Sequence, residues 1–156
     1  MLTEKVKEEI RERIKKYHNR RSAVMDALMI VQRDSGGYIS RENMEDVAGM
    51  LGMQPVEVSA VAAFYTMYNY KRPAGKYHIQ VCRNITCSLL GAEHLIEHME
   101  KVLGVTTGHT TKDSMFTLST VECLGSCGTA PMMQINDDYY ENLTVEGIDE
   151  ILKGLK

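Results

Sequence analysis

Apolar side chains recur every three or four positions near the start of the chain, a spacing typical of an amphipathic helix. The pattern predicts one helix over residues 2–18, whose apolar stripe consists of Leu2, Val6, Ile10, Ile14 and Tyr17. The other face of this helix is strongly charged and rich in lysine and arginine. Such a face is typical of solvated surface, and docking against an acidic partner subunit is the alternative.

Caps and glycines divide the next fifty residues into three shorter helices. Ser22 is predicted to cap a helix over about 23–34, and Ser40 is predicted to cap a helix that ends at Gly52. Pro55 suits the first turn of a fourth helix, which is predicted to run to about Tyr68. The predicted inward positions are Ala23, Ala27, Leu28, Val31, Met44, Val47, Ala48 and Leu51. The pattern therefore predicts an N-terminal helical bundle over residues 1–72.

The periodicity changes after Lys71-Arg72-Pro73, where charges, proline and a nearby glycine indicate a boundary. From here the sequence predicts strands over 76–82, 115–121, 132–136 and 139–140, and helices over 88–103 and 145–155. The first two strands should be parallel because a helix connects them, and the last two should form a hairpin. The fold class is therefore α+β or α/β, with a second domain over 73–156.

All four cysteines of the chain lie in this second region, in two close pairs. Cys82 and Cys87 form a C-x4-C pair, Cys123 and Cys127 form a C-x3-C pair, and 35 residues separate the pairs. One pair begins at the end of the first predicted strand and the other just after the second, so two parallel strands would bring both pairs to the same edge of one sheet. Four thiolates would then converge on one site.

Three kinds of chemistry use four cysteines: two disulfides, a zinc site or an iron–sulfur cluster. Disulfides need an oxidising compartment, and the charged N-terminus does not resemble a signal peptide. Four-cysteine zinc sites usually have shorter C-x2-C spacers, whereas a [2Fe–2S] cluster is bulkier and takes two thiolates per iron. The spacers therefore favour [2Fe–2S] and leave zinc as the alternative.

The motifs around the cysteines resemble those of a known family. Cys82-x4-Cys87 together with Cys123-Leu-Gly-Ser-Cys127-Gly-Thr-Ala-Pro131 is similar to the thioredoxin-like [2Fe–2S] subunit (the 24-kDa subunit) of NADH–quinone oxidoreductase, or complex I. The similarity extends over nearly the whole chain and includes Pro73-Ala-Gly-Lys-Tyr-His-Ile-Gln-Val-Cys82. It implies a thioredoxin-like [2Fe–2S] domain with one cluster held by Cys82, Cys87, Cys123 and Cys127, and a cis peptide bond before Pro131.

The resemblance also implies a function. The chain would carry single electrons between its cluster and the flavin of an NADH- and FMN-binding partner subunit, with no catalytic site of its own. The sequence itself contains no glycine-rich nucleotide-binding loop, so NADH and FMN are expected only on the partner. Related subunits serve NAD-linked hydrogenases and formate dehydrogenases, which stay open as alternatives. A structural module with a four-cysteine zinc site is the alternative from another class.

Composition restricts the partners and the location. The chain has 156 residues, a net charge of −3 and an isoelectric point of about 6.0, which argues against binding to nucleic acid or to an anionic membrane. No apolar run approaches the roughly 20 residues that span a bilayer, so direct membrane insertion is not expected. The chain is predicted to be soluble and cytoplasmic, or peripheral on the cytoplasmic face of a membrane complex.

Two short motifs suggest other functions, and both are judged incidental. The third and fourth helices have the spacing of a helix-turn-helix, but the would-be reading helix contains no arginine, lysine, asparagine or glutamine to contact bases. His94-Leu-Ile-Glu97-His98 matches a zinc-peptidase pattern, but the sequence offers no third ligand at a recognisable spacing. A packed helical hairpin and a solvated helix face explain these motifs better.

Overall fold

The computed structural model describes residues 1–155, which divide between Pro73 and Ala74 into two compact units. The first unit is helical, and the second contains a five-stranded sheet with helices. That these units are independently folding domains, with a boundary after residue 72, stays a prediction. No single helix within residues 1–155 is long and apolar enough to cross a membrane, although α3 (Arg41–Leu51) and α4 (Pro55–Phe64) pass that test as a pair bent by 117°.

The first unit contains four helices: α1 (Glu4–Ile14), α2 (Val24–Asp34), α3 and α4. The cap predictions for α3 are confirmed, because the Ser40 hydroxyl accepts a hydrogen bond from the Asn43 backbone amide and Gly52 ends the helix at φ +64°. Pro55 is the first residue of α4, also as predicted. All eight predicted inward positions of α2 and α3 and their flanks are buried.

Two predicted helix ends and one predicted cap in this unit are wrong, each because a local or tertiary hydrogen bond replaces the expected one. After Ile14 the chain tightens, with the Lys16 amide bonded to the Arg13 carbonyl, so α1 stops short of residue 18. A 3-10 turn over Arg20–Ala23, capped by Asn19 rather than Ser22, precedes α2. α4 ends at Phe64 rather than Tyr68, and the side chain of Gln32 then holds the backbone of Met67 and Asn69.

The hydroxyl of Tyr68 should make the stability of the protein depend on pH. Burial, followed by the charge of Asp26, raises the pKa of this hydroxyl to about 12, above the ordinary value near 10. Because the pKa of this hydroxyl is higher in the folded than in the unfolded chain, the neutral phenol stabilises the folded state fully below about pH 10. This stabilisation is lost as the pH rises towards 12. Urea unfolding of wild type and Tyr68→Phe at pH 9 and 11.5 checks this. The variant should lose less stability over that interval, and an equal loss would contradict the prediction.

The second unit contains β1 (Tyr77–Cys82), α5 (Ile85–Leu89), α6 (Ala92–Leu103), β2 (His109–Thr110), β3 (Phe116–Val121), β4 (Met133–Ile135), β5 (Asp138–Tyr140) and α7 (Val145–Gly154). The strands are ordered β2-β3-β1-β4-β5. β1 and β3 are parallel and the other neighbours are antiparallel, so the predicted parallel pair and final hairpin are confirmed. The core of this unit consists of buried side chains from β1, β3, β4, α6 and α7, including Ile79, Leu118, Met133, Met99 and Ile148.

Two sequence predictions for this unit are wrong. The helix predicted over 88–103 is two helices, because the chain turns at Leu90 and Gly91, and Gly91 adopts φ +92°. β2 is not among the predicted strands: it lies between the helix predicted to end at 103 and the strand predicted to begin at 115, where two residues pair with β3. A strand of two residues leaves no periodic pattern, and it is stabilised here by its neighbour in the sheet.

Substitution by alanine should have opposite effects on stability at two glycines, Gly49 and Gly75. Gly49 lies inside α3 with open space around a Cβ atom, so Gly49→Ala should stabilise the protein by about 0.5–1 kcal/mol. A Cβ on Gly75 would lie 2.9 Å from the Phe116 carbonyl carbon and 3.0 Å from the Met115 carbonyl carbon and oxygen. Because these are backbone atoms, they cannot move aside easily, so Gly75→Ala should lower the free energy of unfolding by about 1–3 kcal/mol. Urea midpoints measure both, and a stable Gly75→Ala would contradict this packing.

Candidate functional site

Both cysteine pairs begin at the same edge of the sheet, as the sequence predicts. Cys82 is the last residue of β1 and lies opposite Val121, the last residue of β3. The Arg83 amide donates to the Val121 carbonyl at 2.9 Å, which extends the pairing to the point where both strands end. The parallel strands therefore place Cys82 and Cys123 at the same end of the sheet. Cys123 comes two residues after Val121.

The first cysteine pair is packed into the protein. Cys82 and Cys87 are 3% and 2% exposed and form a small buried cluster with Ala92 and Met132. Cys87 lies within α5, which Asn84 caps by accepting a hydrogen bond from the Ile85 amide. The Cys82 amide donates to the Met132 carbonyl at 3.2 Å, and its thiol lies 3.5 Å from the Glu122 carbonyl. Packing and backbone bonds thus fix both sulfurs.

The charge of Cys127 acts on the buried cysteine pair. Burial raises the pKa of the Cys87 thiol, and the neighbouring thiol of Cys82 and the charge of Cys127 raise it further. A bound metal favours the thiolate form and releases the proton. Cys127 therefore lies within range of a charge effect on the Cys87 thiol.

The second cysteine pair lies on an exposed loop. Cys123 and Cys127 are exposed, and between them Gly125 adopts φ +81°, a conformation that favours glycine. The Gly125 amide donates to the Cys123 sulfur at 3.4 Å, so backbone in this loop does donate to a sulfur. Gly128 lies in a 3-10 turn over Cys127–Thr129. The Ala130–Pro131 peptide bond is cis, as the resemblance implies.

Hydroxyls and a carboxylate surround the second loop. The hydroxyls of Ser126 and Thr129 both donate to the carboxylate of Glu141. The Tyr139 hydroxyl donates to the Leu124 carbonyl at 2.8 Å. The sequence gives no sign of the roles of Glu141 and Tyr139, because only the β4–β5 hairpin brings them back to the loop.

The donor set fits a [2Fe–2S] cluster. All four cysteines are free, and a [2Fe–2S] cluster takes two thiolates on each of two irons. Within residues 1–155, no three histidine, cysteine, aspartate or glutamate side chains, the four cysteines included, are grouped closely enough to ligate a single metal ion. His98 in the peptidase-like motif contacts Asp149 at 2.8 Å and His94 is exposed, as expected of a helix surface.

Comparison with known proteins decides the family. The family model for thioredoxin-like [2Fe–2S] ferredoxins matches residues 10–156. The chain belongs to this family. Its cofactor is accordingly a [2Fe–2S] cluster, and the predicted α+β architecture with a thioredoxin-like ferredoxin fold is confirmed. The assignment of the four cysteines as the cluster ligands stays a prediction.

Relatives of this thioredoxin-like ferredoxin include several components of NADH-quinone oxidoreductase. It is 44% identical over 151 residues to the E 2 subunit of that complex from Rhizobium meliloti (strain 1021), covering 97% of this chain and 89% of that one. It is 48% identical to the E subunit from Rickettsia conorii over 92% of this chain and 86% of that protein. It is 44% identical to NADH-quinone oxidoreductase subunit 2 of Thermus thermophilus over 88% and 75%. These relatives are parts of an oxidoreductase complex, and this chain is likewise an electron-transfer protein.

A solved structure shows the same fold in a longer chain. The crystal structure of an air-oxidised NAD+-reducing [NiFe]-hydrogenase matches with a TM-score of 0.73 and 19% identity. The match covers 85% of the ferredoxin described here but only 22% of the hydrogenase chain. At this identity the comparison supports the fold alone.

Proposed function

We propose that this thioredoxin-like ferredoxin is the one-electron carrier subunit of an NADH–quinone oxidoreductase, and that Cys82, Cys87, Cys123 and Cys127 hold its [2Fe–2S] cluster. The observation that carries the proposal is the parallel pairing of β1 and β3, which brings both cysteine pairs to one sheet edge. The names of relatives at 44–48% identity support the choice of complex. NAD-linked hydrogenases and formate dehydrogenases are the alternatives.

When bound, the cluster supplies reversible one-electron chemistry at sulfur-ligated iron. The protein contributes a different environment on each side of it. Cys82 and Cys87, packed with Met132, exclude water from one side, and the Gly125 amide donates to sulfur on the other. Such a hydrogen bond stabilises added negative charge, which raises the reduction potential. The exposed Cys123 and Cys127 mark the side that is open to another protein.

The partner that we propose is a flavoprotein that binds NADH and FMN, in the cytoplasm. Exposed apolar side chains support a place within a larger complex, because such side chains mark protein-binding surfaces. On α5, beside Cys87, Ile85 and Leu89 are 74% and 82% exposed. In the other unit, Phe64 at the end of α4 is 78% exposed.

Metal and sulfide analysis with electron paramagnetic resonance (EPR) tests the function. Anaerobically purified protein should contain about two irons and two sulfides per chain. After reduction by dithionite it should show a signal from one unpaired electron. One zinc per chain and no sulfide, even after reconstitution with iron and sulfide, would overturn the proposal. To test the partner, NADH should reduce the cluster only when the flavoprotein is added.

A further inference from the structure

The two cysteine pairs are held in place by different forces. Packing fixes Cys82 and Cys87, whereas no side chain from 122 to 131, all within the described part of the chain, is fully buried. Within this loop the half-buried Leu124 and Ala130 pack against the Cys82–Cys87 cluster. Hydrogen bonds hold the exposed remainder, including the segment around Cys127.

A short segment at the end of the β4–β5 hairpin supplies these bonds. We name residues 139–143 the clasp. The clasp donates from the Tyr139 hydroxyl to the Leu124 carbonyl at 2.8 Å and from the Asn142 amide to the Thr129 carbonyl at 2.7 Å. The Leu143 amide donates to the Pro131 carbonyl at 2.9 Å. The clasp thus holds the loop on both sides of Cys127.

Glu141 makes the charged contacts of the clasp. One of its carboxylate oxygens accepts from the hydroxyls of Ser126 and Thr129, whose oxygens lie 2.8 Å apart. Hydrogen bonds to a carboxylate are roughly twice as strong as those between neutral groups. The hydroxyls also lower the pKa of Glu141, so it stays ionised near neutral pH. These two hydroxyls lie one residue before and two residues after Cys127.

We propose that Glu141 is a positioning residue for the cluster, holding the Ser126–Thr129 turn so that Cys127 faces the sulfurs of the buried pair. The inference rests on the proposed function, and it assigns a role to a residue that does not contact the cluster. Partners of this kind affect metal retention because they orient the ligands, and their loss typically costs about 10- to 100-fold in affinity or activity.

Three variants of the full-length protein separate positioning from charge. Glu141→Ala removes the acceptor, whereas Glu141→Gln removes the charge but keeps an oxygen that accepts from both hydroxyls. Glu150→Ala, on the exposed part of α7, removes an equal charge elsewhere in the same unit. The readouts are the rate of cluster loss to an iron chelator, followed by visible absorbance, and the EPR g-values.

Glu141→Ala should lose the cluster about 10- to 100-fold faster than wild type, with shifted g-values. Glu141→Gln should restore most of the wild-type rate and signal, and Glu150→Ala should match wild type. A wild-type rate in Glu141→Ala, or an equally fast loss in Glu141→Gln, would overturn the proposal.

Two further outcomes are distinguishable. If Glu141→Ala does not fold, as judged by circular dichroism, Ser126→Ala replaces it, since it removes one of the two donors to the same carboxylate. An unchanged rate in that variant would overturn the role of Glu141. If wild type itself contains no sulfide, the proposed function fails, whereas a stable cluster in both wild type and Glu141→Ala refutes only the role of Glu141.

Discussion

Replacing Cys87 by serine should leave the protein without its cluster: no stoichiometric iron and sulfide, no visible absorbance bands and no EPR signal after reduction. The side chain is 2% exposed and is packed beside Cys82, Ala92 and Met132, so solvent has little access to the position of the sulfur. A serine hydroxyl in a buried site is far harder to deprotonate than a thiol, and only the deprotonated form would ligate iron well.

Ser88→Ala is the matched control for this experiment. Ser88 follows Cys87 in α5, and its hydroxyl contacts Glu93 at 3.3 Å rather than a cysteine. The control should retain a full cluster with the wild-type spectrum. A Cys87→Ser protein with full iron and sulfide content and an unchanged EPR signal would show that Cys87 is not a ligand.

Leu118→Ala should lower the free energy of unfolding by about 2–5 kcal/mol, because it leaves a cavity in the centre of the sheet. Leu118 is fully buried on β3, opposite Ile79 on the neighbouring parallel strand. Urea unfolding followed by circular dichroism measures the effect as a lower midpoint with an unchanged slope.

Leu89→Ala provides the comparison, since it deletes the same atoms from a side chain that is 82% exposed. The effect of this control should stay within about 0.5 kcal/mol. Equal losses in the two variants would contradict the burial that the structure assigns to Leu118.

Local signals predict the elements of the site well. The periodic strands, the connecting helical segment and the strand–cysteine order are enough to predict the parallel pair β1 and β3, which the structure confirms. Ser40, Gly52 and Pro55 are likewise predictable, because caps and turns depend on residues close in sequence.

Features that depend on distant partners are not predictable from the sequence. Helix α4 ends early because Gln32, more than thirty residues away, binds the backbone that follows it. Glu141 has no sequence signal at all, since its partners Ser126 and Thr129 belong to another segment. The apolar pattern continues across the break at Gly91 and therefore predicts one helix. The glycine itself is the only local indication that the helix is interrupted there.

The two cysteine pairs that the parallel strands β1 and β3 bring together are synthesised at different times. Cys127 follows Cys82 by 45 residues, and Glu141 follows by 59. A ribosome that adds about 5–20 residues per second needs roughly 2–9 s to reach Cys127 and roughly 3–12 s to reach Glu141. Until Cys123 is added, the nascent chain carries the thiols of Cys82 and Cys87 without the second pair. With Cys127 as a proposed ligand, cluster insertion would follow synthesis of that residue, and the proposed role of Glu141 would delay a stable cluster until the hairpin is complete.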